Sequence, residues 1–139
     1  MLKYIISFDE YWPFININEK EIKWYEEYIW LNDNINPLSW EYVREIVKEL
    51  EEVISWIRNG TFFWYETMDL AVYKKWYNLW KDCKYPDNYN FPDGKVIITY
   101  NYNEDTLITD IKIEEILKMM TEWRDYINAW EKETGKIKH

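Results

Sequence analysis

From Leu38 to Gly60 the chain reads LSWEYVREIVKELEEVISWIRNG, and Val43, Ile46, Val47, Leu50, Val53, Ile54 and Ile57 recur at the spacing of one helical face. Glu41, Arg44, Glu45, Lys48, Glu51, Glu52 and Ser55 fill the other side. The pattern predicts an amphipathic helix over about 39–59. Ser39 is placed to accept a bond from an orphan amide, Glu41 suits the positive end of the helix dipole, and Asn59-Gly60 supplies a left-handed stop. A helix with one buried face requires an apolar surface to cover it, so the remaining chain must provide one.

The last part of the chain repeats this logic. Over about 111–133, Ile113, Ile116, Leu117, Met120, Trp123, Ile127 and Trp130 lie on one side and Thr134-Gly135 ends the run, after which Lys136 to His139 should fray. Arg124 projects inside the apolar arc, where its stem can snorkel at the edge, the alternative being a pair with a buried carboxylate. Between the helices, Thr61–Glu66 is β-prone, and Lys95–Tyr102 alternates before Asn103-Glu104-Asp105 turns the chain into a second strand, 106 to about 110. Leu2–Phe8 and Phe14–Ile17 are short strand candidates, and Asn18 with Glu21 resembles a capping box opening a helix over about 19–31. From Asp69 to Cys83, Leu70, Tyr73, Trp76, Tyr77 and Trp80 follow the helical period, with Cys83 a small buried hydrophobe on that stripe. The expected fold is α+β: a single domain over 1–139, with a mostly antiparallel sheet packed against two long amphipathic helices.

At 139 residues such a chain should bury roughly two-thirds of its unfolded surface without staples. One cysteine excludes an intrachain disulfide and suits a reducing compartment, so the expected localisation is cytoplasmic. The apolar run at Tyr4–Phe8 is too short for a signal sequence, and no run is long enough to span a membrane. The net charge is −9, and its excess sits early: residues 1–59 carry twelve acids against six bases, whereas 112–139 carry six of each. That balance repels nucleic acid and anionic membranes and steers the molecule toward basic partners, although it also serves plain solubility. Ten Trp, thirteen Tyr and five Phe are more large rings than a core of this size needs. Rings left among surface charges have the composition of interface anchors.

Most enzyme signatures are missing. His139 is the one histidine and sits at the terminus, which argues against Ser-His or Cys-His nucleophiles and His-based metal sites; three glycines leave no phosphate-cradling loop. No cofactor is expected. One enzymatic pattern remains: Pro92-Asp93, a hairpin, then Asp110-Ile111-Lys112 follow the PD-(D/E)xK arrangement of metal-dependent nucleases, in which two carboxylates hold magnesium and a lysine steadies the attacking water. Against it, Pro-Asp-Gly is ordinary turn chemistry, Asp110 is placed to cap the final helix, and no basic stripe offsets the charge.

Acidic pairs at Asp9-Glu10, Glu26-Glu27, Glu51-Glu52, Glu104-Asp105 and Glu114-Glu115 read as solvated faces or as a binding surface, since carboxylates beside rings can meet Lys and Arg of a basic protein. On a helical wheel over 19–31, Trp30 falls among Lys23, Glu26 and Glu27; the alternatives are that it packs under a neighbouring loop or that the segment is a strand. Glu26, Glu27, Trp30 and Asp33, with Glu104 and Asp105 at the hairpin tip, are the expected partner contacts.

From Gly94 to Trp130, GKVIITYNYNEDTLITD followed by IKIEEILKMMTEWRDYINAW resembles the C-terminal half of small acidic immunity proteins that bacteria pair with secreted toxins. The likeness lies in a hairpin feeding a closing helix with a Glu-Trp pair, here Glu122-Trp123. The resemblance implies a cytoplasmic inhibitor that occludes one toxin, often a basic nuclease; phage inhibitors of host defence enzymes share the physical profile. A structural or assembly subunit is the further alternative.

Overall fold

A computed structural model describes residues 3–8, 11–17, 35–55, 57–58, 60–65, 68–73, 95–100 and 106–139; for 62, 64–65, 68–73, 95–100 and 106–110 the description is of the backbone. The fold is α+β. In order, the elements are β1 (Tyr4–Phe8), β2 (Pro13–Ile17), α1 (Trp40–Ile54), β3 (Gly60–Tyr65), β4 (Met68–Tyr73), β5 (Lys95–Tyr100), β6 (Thr106–Lys112) and α2 (Ile113–Thr134). The described strands form two separate sheets, a β1–β2 hairpin and a four-stranded meander in the order β3-β4-β5-β6, with every pairing antiparallel.

The start of α1 follows from its sequence. Ser39 is extended, and its hydroxyl accepts from the Tyr42 N–H at 3.2 Å. The Trp40 N–H, a second orphan donor of the first turn, is taken by the Lys138 carbonyl at 3.1 Å. The tail beyond Gly135 is therefore held at Lys138, whose ammonium also donates to the Asn36 carbonyl at 2.8 Å, in place of the fraying expected there. The other end of α1 departs from expectation. The helix stops at Ile54, and the N–H groups of Ile57 and Arg58 both turn back to the Glu52 carbonyl. Ile57, read as a core position, is 73% exposed, and Gly60 opens β3 instead of ending a helix.

α2 is entered directly from β6. Lys112 is extended at its N-cap, and its N–H donates to the Glu115 carboxylate at 2.9 Å, one half of a capping box. At the far end Gly135 adopts a left-handed conformation, φ 71°, and its N–H closes on the Glu131 carbonyl, as the Thr134-Gly135 signal implies. Asp110 does not cap this helix: β6 continues past it to Lys112, which pairs with Lys95. Lys95 opposes Lys112 while Ile97 opposes Ile108, so β6 carries two more residues than β5 across that interval. An irregularity of this kind bends the strand where it meets the helix.

The helical period over 69–83 is overturned at its start, because residues 68–73 form β4. Register places Leu70 opposite both Phe63 and Ile98, and Val72 opposite Thr61 and Val96. Within those six residues Met68, Leu70 and Val72 alternate with Asp69, Ala71 and Tyr73, the period of a strand held between two neighbours. Residues 74–83, with Cys83, and the proposed helix over 19–31 lie outside the described residues.

The core joins both helices to β2. Trp40, Val43, Ile46, Val47, Leu50 and Val53 of α1 and Ile113, Ile116, Met119, Met120, Trp123 and Ile127 of α2 are buried with Ile15, Ile17, Ile35, Leu38, Phe63 and Ile111. Trp12 meets Trp40 edge to face at 5.6 Å, and Tyr42 meets Phe63 at 6.4 Å. Thr61 is the buried polar residue among those described, and its hydroxyl donates to Glu49 at 2.9 Å.

Candidate functional site

Charge is arranged around the helix pair in a definite way. Arg44 of α1 donates to Asn128 at 2.9 Å and pairs with Glu131 of α2, while Arg124 of α2 lies 3.1 Å from Asp125 and 3.8 Å from Glu51 of α1. These contacts set the helices antiparallel. Arg124, expected within the apolar arc, thus sits at the seam against two exposed carboxylates. At the end of α1, Arg58 pairs with Glu52 at 2.6 Å and Glu49 at 3.7 Å. All three arginines of the chain are engaged in this way. Glu41, Glu45, Glu114 and Glu133 are exposed and make no ion pair with the described residues.

The C-terminal half of α2 meets β1 through rings. Phe8 packs on Trp130 with centroids 5.5 Å apart, and Trp123 stacks on Tyr126 at 6.5 Å. The Tyr4 hydroxyl donates to Glu122. Burial, that hydrogen bond and the Glu122 charge, in decreasing order, push the Tyr4 hydroxyl well above its ordinary range. Phe8, Tyr126, Ala129, Trp130 and Glu133 line an open hollow of about 310 Å³. Aromatic walls with a carboxylate at the rim suit an alkyl-ammonium or guanidinium group better than an enclosed small molecule. The Trp130 indole N–H, beside it, is buried without an acceptor among the described residues. Sequence reasoning placed Trp130 on the apolar side of its helix but missed the hollow. The available signal was the stripe Tyr126, Ala129, Trp130 and Glu133 at spacings of three and four; the closing residue, Phe8, is distant in sequence and gave none.

The expected contacts Glu26, Glu27, Trp30, Asp33, Glu104 and Asp105 lie outside the described residues, as does Asp93. Of the nuclease pattern, Asp110 falls within β6 and Lys112 is exposed at the entry to α2. The hairpin register does bring the start of β5 to the end of β6, with Lys95 opposite Lys112. Among the described residues there is no cluster of three His, Cys, Asp or Glu able to hold a metal ion, and no helix is long and apolar enough to cross a membrane. Of the tryptophans whose surroundings are described, Trp40 and Trp123 are interior, while Trp12 and Trp130 are half-buried.

Comparison with protein-family models, with characterised proteins and with solved structures gave no match to this chain.

Proposed function

We propose that the protein is a stoichiometric inhibitor of the immunity or anti-defence type, which binds a basic protein such as a nuclease toxin in the cytoplasm and blocks it without catalysing a reaction. The observation that carries this reading is a net charge of −9 on a chain with ten Trp, thirteen Tyr and five Phe. Charge of one sign speeds encounter with an oppositely charged partner, and desolvated rings slow its departure. The reading takes the molecule as a mostly antiparallel sheet packed against two long amphipathic helices, with Glu26, Glu27 and Trp30 of the expected 19–31 helix, Asp33 just after it, and Glu104 and Asp105 at the hairpin tip presented to the partner. It draws support from the arginines, which are tied up in intramolecular pairs while Glu41, Glu45, Glu114 and Glu133 stay exposed. The likeness of residues 94–130 to small acidic immunity proteins points the same way.

The test is affinity capture on the immobilised chain, identification of the retained protein, and kinetics with that protein purified. Trp30→Ala should weaken binding by at least about 2 kcal/mol, roughly thirtyfold, and Glu26→Lys with Glu27→Lys should mainly slow association. Unchanged constants in both variants remove these residues from the site.

A further inference from the structure

The two edges of the β1–β2 hairpin differ. On β2 the N–H and C=O of Ile15 are both taken by the Asn36 side-chain amide, each at 2.8 Å. Both groups therefore point away from β1, so the opposed residues Ile6 and Ile15 exchange no hydrogen bonds. The same holds two residues either way, for Tyr4 opposite Ile17 and Phe8 opposite Pro13. It follows that the backbone N–H and C=O groups of Tyr4, Ile6 and Phe8 point outward on the opposite edge, and no described residue pairs with them. Beside this edge, which no described residue pairs, Ile5 and Phe8 are 65% and 62% exposed. An unblocked edge with apolar residues on it is a template for another strand.

We propose that β1 pairs antiparallel with β1 of a second copy of this chain, centred on Ile6. The sequence is self-complementary in that register: Ile6 meets Ile6 of the second copy, Tyr4 meets Phe8, and Ile5 meets Ser7. It is also the one register in which all three outward residues of each copy find a partner. Sliding by two residues leaves one of the three unbonded in each copy. The product is a four-stranded sheet, β2-β1-β1-β2, with a two-fold axis through Ile6. Five-residue strands bury little area, so association depends on concentration. Each copy carries −9, so added salt strengthens it by screening repulsion. Binding to a basic partner responds to salt in the opposite sense, and the dimer stands or falls separately from the inhibitor reading.

Sedimentation velocity on the full chain, from low micromolar to submillimolar concentration and at low and high salt, should show a monomer passing to a dimer, further advanced at high salt. Ile6→Pro removes an outward N–H and none within the hairpin, so it should abolish the dimer while circular dichroism stays native. A second measurement is independent of that variant's folding. In a Cys83→Ser background, Ile5→Cys and Ser7→Cys chains mixed with oxidised glutathione should cross-link to each other in preference to themselves. A monomer at every concentration assigns the edge to some other strand and overturns the proposal, as does a dimer without the 5–7 preference.

Discussion

The seam between α1 and α2 and the outer faces of the same helices use similar residues for different ends. In the seam, Arg44 and Arg124 draw Glu131, Glu51 and Asp125 into contacts between or along the helices. On the outer faces Glu41, Glu45 and Glu114 stand exposed, with no cation paired to them among the described residues. The adjacent acids Glu51-Glu52 and Glu114-Glu115 look alike in sequence yet divide their work: Glu52 holds Arg58 and Glu115 caps α2, whereas Glu114 does neither. An acidic composition is thus partly internal structure and partly surplus, and only the surplus is available to a partner.

The seam should fail first when its packing is removed. Trp123 is fully buried, so Trp123→Ala should cost about 3–5 kcal/mol in denaturant unfolding. Its indole N–H has no acceptor among the described residues, so Trp123→Phe forfeits none of the described hydrogen bonds and should cost well under half as much. Next comes the clamp on β2: Asn36→Ala leaves both groups of Ile15 unpaired and should cost about 1–3 kcal/mol, with faster amide exchange at Ile15. Arg44→Ala removes a half-exposed ion pair and should cost no more than about 1 kcal/mol, less in high salt. Smallest of all, Glu45→Lys should move stability by less than about 0.5 kcal/mol, since Glu45 is exposed beyond the first turn of α1 and pairs with no described residue. A loss at Glu45 equal to that at Arg44 would erase the distinction between seam and face.

What could be read from sequence was what neighbours in the chain decide. Ser39 and Gly135 act on their own helix ends, and both were legible. The end of α1 was not, because Ile57 keeps the helical period although its N–H turns back to Glu52 and its side chain faces solvent. β4 was misread because the rings from Tyr73 to Trp80 outweighed the short alternation of residues 68–73, while pairing with β3 and β5 decided the outcome. The Lys138 carbonyl on Trp40, the Asn36 clamp and the approach of Phe8 to Trp130 join distant parts of the chain and leave no periodic trace. Composition pointed to an acidic and aromatic surface, while the residues assigned to a site on it fall in 18–34 and 101–105, outside the described structure.

Stoichiometric inhibition of a basic protein is the role proposed for the chain. Titrating the purified partner's activity with the chain tests this most directly. Complete loss at one equivalent is expected, with Trp30→Ala requiring a large excess. Activity that persists at saturation, or a captured partner that is neutral or acidic, would contradict it.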